Sequence, residues 1–299
     1  MPDPNTMLIH SQQAEGVGRL IEVTPESAGW EYVGLVVQVI PPGGTWHYAA
    51  EKDELCIVPL RGSATITSGD DEWTVSRPGT VFDGKPTSLY LPVGSTFTAV
   101  SGEGAELAVT LSRAEKQFPA KLIEPDDVDV EIRGAGNAAR QINHIIKPEF
   151  PADKLLVVEV FTPSGNWSSF PPHKHDVSQM PAEADLEEIY YYRINPDDGF
   201  GLQRLYFADG SFDHAWVIKD GDLLLVPEGY HAFAVAHGYT GYYLNILAGD
   251  EAGRTMQPAD DPAYAWVRST WDDAMNDGLS SYQDIDDRIN GDAGKRKAQ

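Results

Sequence analysis

Residues 171–193 read PPHKHDVSQMPAEADLEEIYYYR, placing two of the chain's 8 histidines one residue apart and following them with paired glutamates. On extended chain, residues two apart face the same side, so His173 and His175 would project both imidazoles into one space. Glu188 opens the next apolar run, and His231 ends the stretch GDLLLVPEGYH. Three neutral imidazoles and one carboxylate suit a borderline divalent metal such as Zn, Mn, Fe or Ni, with one or two coordination positions left for substrate. A lone His-x-His pair reads more readily as ordinary surface or pocket histidines. The downstream Glu188 and His231, in a matching frame, favour one divalent metal per chain.

The elements that would carry these residues are short runs rich in Val, Ile, Tyr and Leu, such as YVGLVVQVI, LLVVEVF and EIYYYRI, separated by Pro, Gly, Asp or Ser. That pattern predicts a mainly β chain. The one helical candidate covers residues 272–290 and is acidic. An internal repeat organises the rest. VQVIPPGGTW, from Val37, matches VEVFTPSGNW, from Val158, without a gap; ELCIVPL, from Glu54, sits opposite EIYYYRI, from Glu188; LPVGSTFTAV, from Leu91, sits opposite VPEGYHAFAV, from Val226. Two copies of one β unit therefore lie end to end, with the division expected in residues 122–140, where the chain is acidic and interrupted by Pro. Between Trp and Glu the second copy has 13 extra residues, which carry His173 and His175, and it has His231 where the first has Thr96.

The 46 acidic against 22 basic residues give a net charge of −24, which repels phosphate backbones and anionic lipid, so neither nucleic acid nor a membrane is an expected partner. A small anionic substrate is compatible, because a few cations in a pocket outweigh a distant surface that salt screens. The single Cys56 forbids an intramolecular disulfide, and the opening Met-Pro-Asp-Pro has neither the basic nor the apolar region of a secretion signal. A cytoplasmic protein is expected.

His173-Lys-His175, Glu188 and GDLLLVPEGYH together resemble the two signature motifs of the cupin superfamily, and the duplication resembles a bicupin. More narrowly, GNWSSFPPHKHD, LEEIYYYRINPDDGFGLQRLY, VPEGYHAFAVAHGYTGYYLNILAG and DDPAYAW resemble the 5-deoxy-glucuronate isomerase family of inositol catabolism, related to the 4-deoxy-uronate ketol-isomerases. The resemblance covers nearly the whole chain. It implies two tandem jelly-roll-like β-barrels: residues 1–125 an N-terminal cupin-like domain lacking metal ligands, and 126–299 a metal-binding domain with an acidic C-terminal tail. It further implies an aldose-ketose isomerase converting 5-deoxy-D-glucuronate to 5-dehydro-2-deoxy-D-gluconate, with His173, His175, Glu188 and His231 as ligands. A homo-oligomer stays open.

Such a reaction moves one proton between adjacent carbons and needs a base. Glu187, Tyr191, His237 and Tyr243 are the candidates, although the three consecutive tyrosines from Tyr190 read more readily as core and rim packing. The substrate's carboxylate calls for a cation. Arg204, beside Gln203 on the apolar-flanked GLQRLY, is the first choice, with a surface salt bridge as its competing reading; Lys174 and Arg140 are weaker candidates. Two other classes remain open: a metal-dependent cupin dioxygenase, which would consume oxygen, and a non-catalytic sugar-binding bicupin.

Overall fold

The computed structural model describes residues 3–250 and 254–291, and the last eight residues of the expected acidic tail lie outside them. The chain is mainly β, as expected, but the sheets stay open instead of closing into barrels. One nine-stranded sheet holds the strands from Gly18–Val23 to Lys121–Ile123. A seven-stranded sheet runs in the order Leu8–Ile9, Leu223–Val226, Glu187–Asn195, Thr240–Ala248, Leu156–Thr162, Arg140–Ile146, Asp129–Arg133. Facing it is a five-stranded sheet, Asp213–Ile218, Gly201–Tyr206, Tyr230–Val235, Trp167–Lys174, Ala259–Asp260. The short Leu8–Ile9 strand pairs with Leu223 and Leu224, so the start of the chain packs on the second half.

All seven residues of Leu156–Thr162 are buried, and the reason lies in its two faces. Val158 and Val160 pack with Tyr190, Tyr192 and Phe233 between the two second-half sheets. Val157 and Phe161 pack with Val33, Leu35 and Val37 of the first half. A strand covered on both sides reads as an unbroken apolar run, and each fully buried side chain of this size is worth about 1.5–3 kcal/mol. The interface also holds a fully buried ion pair, Arg77 with Glu159, and Glu159 accepts a further bond from the Tyr242 hydroxyl at 2.8 Å. Removing one partner of such a pair would strand a buried charge.

The two halves cap each other reciprocally. Glu54 accepts from the backbone N–H of Asp153, Lys154 and Leu155 at 2.8, 2.6 and 2.7 Å, where the chain enters the inner strand of the second half. Glu187 accepts from Glu31, Tyr32 and Val33 at 2.6, 2.8 and 3.0 Å, where the chain enters the inner strand of the first. This overturns the expected alignment of Glu54 with Glu188. Strand register makes the same point: Leu55 pairs with Leu91 as Glu188 pairs with Val226. Leu55 thus takes the place of Glu188, inside an apolar core with Trp46, Leu89 and Phe97.

The expected helix over 272–290 is shorter. A 3-10 turn at Asp273–Asn276 is followed by Gly278 at φ 75°, and the α-helix Tyr282–Asn290 starts only after the Ser281 cap. A left-handed residue ends a helix, and Gly accepts that conformation without strain.

Candidate metal centre

With Leu55 opposite Glu188 the second copy has 12 extra residues, and they form the end of Trp167–Lys174 and a small hairpin, Asp176–Gln179 with Glu183–Asp185. Lys174 holds the hairpin by pairing with Asp176 and with Glu183, the latter at 2.7 Å. Asp176 in turn accepts from Gly229 N–H at 2.7 Å, which ties this segment to the loop preceding His231. Within Trp167–Lys174 the register breaks between Ser168 and His173. Pro171 and Pro172 lie in the break and have no N–H to give the ladder. Ser169 sits there at φ 51°, a conformation costly for a residue with a side chain and concentrated at functional positions.

Beyond the break, His173 pairs directly with His231. The ligating nitrogens of His173, His175 and His231 all lie within 4.8 Å of one another. Glu188 Oε2 lies 3.0 Å from His175 Nε2 and 3.1 Å from His231 Nε2. His175 Nδ1 donates to the Leu186 carbonyl at 3.0 Å and His231 Nδ1 to the Gly229 carbonyl at 3.1 Å. A carbonyl only accepts, so each Nδ1 carries a proton and each Nε2 is turned to the cluster, the arrangement that orients metal-binding imidazoles. Among the described residues the buried His231 Nε2 has no well-aligned hydrogen-bond partner, and with Nδ1 protonated its lone pair is directed at the space shared with Glu188. Asn245 Nδ2 donates to Glu188 Oε1 at 2.6 Å and fixes the carboxylate from behind.

Charge follows from this packing. Burial, then the neighbouring imidazoles, holds His173 well below its usual 6.5 and therefore neutral. Burial pushes Glu188 up, but His175 and His231 outweigh it, leaving the carboxylate well below the ordinary range. Burial alone would lower His175, whereas the adjacent Glu188 raises it. Next to the cluster stand three hydroxyls: Ser169 Oγ is 3.1 Å from the Tyr190 hydroxyl and 3.5 Å from that of Tyr243. Burial raises both phenols above their ordinary value, so they keep their protons at neutral pH.

A model of the KduI/IolB family matches residues 7–267. The chain belongs to the KduI/IolB family. It is 46% identical over 262 residues to a 5-deoxy-glucuronate isomerase from Geobacillus thermodenitrificans, covering 87% of this chain and 95% of that one. It is 40% identical over 259 residues to one from Bacillus subtilis, covering 85% and 94%. Among solved structures, an IolB-like protein from Salmonella typhimurium superposes with a TM-score of 0.82 at 35% identity, over 87% of this chain and 98% of that one. An oxalate decarboxylase mutant from Bacillus subtilis superposes at 0.60 with 14% identity, over 92% and 86%, a likeness of cupin fold alone.

Of the residues expected in this KduI/IolB site, the structure brings His173, His175, Glu188 and His231 together, with Tyr243 on the same interior face. Gln203 is buried on that side too and accepts from the Tyr192 hydroxyl at 3.0 Å. The other expectations are corrected. Glu187 faces the first half and caps its backbone. Tyr191 shares that face, its hydroxyl 3.5 Å from Glu106. His237 is exposed beyond the far end of Tyr230–Val235; six residues from His231 is about 20 Å along a strand. Arg204 lies on the outer face, bidentate to Asp213 at 2.8 and 2.7 Å and stacked on the Tyr206 ring. Lys174 spends its charge on Asp176 and Glu183.

Three residues of the site escaped the sequence reading. Alternation from Glu188 selects Tyr190, not Tyr191, for the inner face. Asn245 was signalled by its place in the apolar run YYLNILAG, since a buried amide needs a partner. Ser169 had no sequence signal, because its φ depends on the break in pairing.

Proposed function

We propose that this chain is a 5-deoxy-glucuronate isomerase, converting 5-deoxy-D-glucuronate to 5-dehydro-2-deoxy-D-gluconate in cytoplasmic inositol catabolism. The observation that carries this reading is the cluster of His173, His175, His231 and Glu188 in a chain closely similar to proteins of that name. These four side chains would hold one divalent metal: three Nε2 or equivalent lone pairs and one carboxylate converge, and the His231 Nε2 lone pair fits that use. When bound, the metal supplies Lewis acidity that polarises a carbonyl and its neighbouring hydroxyl. Zn, Mn, Fe and Ni all suit this donor set.

The chain's own groups do the rest. In the reaction the aldehyde becomes a terminal alcohol and the adjacent carbinol a ketone, so one hydrogen leaves C2 for C1 and one moves between the two oxygens. Tyr190 and Tyr243 keep their protons and therefore serve as hydrogen-bond donors to substrate oxygens, with Ser169 between them. The enclosing Tyr192, Phe233 and Leu205 exclude water from this interior. Offering 5-deoxy-glucuronate and 4-deoxy-5-keto-uronate side by side, with both followed by NMR, tests the assignment. The reading expects turnover of the first at least tenfold faster, and preference for the second would overturn it.

A further inference from the structure

Arg140 is only 4% exposed, yet among the described residues no carboxylate is hydrogen-bonded to it, Glu131 acting on it only through space. Its contacts are two backbone carbonyls, both reached from Nη1: Ala138 at 3.1 Å and Phe170 at 3.3 Å. The other buried arginines among the described residues are accounted for differently. Arg77 has Glu159, and Arg254 spends its guanidinium on four carbonyls. A buried guanidinium with an unused edge is costly unless something anionic meets it.

The position of Arg140 says where that anion would lie. Ile142, two residues on and on the same face, packs with Tyr190 and Tyr243 in the second-half interior. Phe170, whose carbonyl accepts a hydrogen bond from Arg140, lies between Ser169 and His173. Ser169, one residue before Phe170, lies 3.1 Å from the Tyr190 hydroxyl and 3.5 Å from that of Tyr243, so polar groups follow one another from the side of the histidine cluster toward Arg140. We infer that Arg140 is the receptor for the carboxylate of an open-chain sugar acid whose other end lies at the histidine cluster. This rests on the isomerase reading only for the identity of that acid, whose aldehyde and carboxylate are at opposite ends of six carbons. The planar fork matches a carboxylate bidentately, and burial makes the contact count.

The test is calorimetric titration of the metal-replete protein with 2-deoxy-D-gluconate, an acid with no carbonyl to turn over, and with the neutral 2-deoxy-D-glucitol. Wild type should prefer the acid, and Arg140→Gln should weaken the acid by about 10- to 100-fold while leaving the neutral ligand unchanged. Equal loss for both ligands would mean that Arg140 only braces the Ala138 and Phe170 carbonyls, and the inference falls. Absence of acid preference in wild type also overturns it. Should Arg140→Gln not fold, Arg140→Lys keeps the charge without the fork and should retain acid preference at reduced strength; loss of both ligands alike would again refute the role. Turnover of 5-deoxy-glucuronate is measured separately. Acid binding through Arg140 without turnover would sink the isomerase reading and leave the subsite standing, whereas turnover with unchanged KM in Arg140→Gln would do the reverse.

Discussion

Glu187 and Glu188 are adjacent on one strand and serve opposite sides of it: Glu187 caps the backbone of the first half, and Glu188 faces the histidines of the second. The period of two in a strand makes this unavoidable. One carboxylate is architecture and its neighbour belongs to the site.

Replacing Glu187 by Gln should accordingly lower stability and spare the metal. It weakens three backbone hydrogen bonds at 2.6, 2.8 and 3.0 Å, with an expected cost of about 1–3 kcal/mol. Denaturation curves beside elemental analysis check this; unchanged stability with lost metal would mean the two faces have been misassigned.

Asn245→Leu removes the donor 2.6 Å from Glu188 Oε1 at similar volume. Groups that orient ligands in this way typically matter by 10- to 100-fold in metal affinity. Competition with a chelating dye should show a loss in that range, and an affinity within twofold of wild type would remove Asn245 from the account.

How much of this was legible in sequence depends on what each residue answers to. His173, His175 and His231 could be read because a His-x-His pair and a repeated frame are local facts. Glu54 was paired with the wrong glutamate because an insertion between Trp167 and the glutamates leaves the frame undetermined at that point, and strand register decides it. Arg204 looked interior from its apolar flanks, but Leu202 is itself 44% exposed and Gln203 takes the inward face. Which side of a sheet is the inside follows from the opposing sheet, and no single strand contains that information.

The hairpin carrying Arg140 yields a pH prediction. His144 and Arg133 hold the Glu131 carboxylate below its usual 4.5, partly opposed by burial. A depressed carboxylate stabilises the fold above its unfolded pKa and loses that contribution as pH falls through the lowered value. Glu131 is 41% exposed, so screening limits the effect to roughly 0.2–1 kcal/mol. Glu131→Gln should therefore be slightly less stable than wild type at pH 7, with the gap closing below about pH 4. A gap that stays undiminished once Glu131 is protonated would contradict the pairing.

If the cluster of His173, His175, Glu188 and His231 holds one divalent metal that isomerisation of 5-deoxy-glucuronate requires, metal content and turnover must rise and fall together. The decisive experiment is a proton NMR time course of that acid with metal-replete protein, with protein stripped by chelator and with stripped protein resupplied with metal. Aldehyde-derived signals should give way to those of a keto acid with a terminal hydroxymethyl in the first and third samples only. Conversion at equal rate by the stripped protein, or no conversion by the metal-replete one, would contradict it.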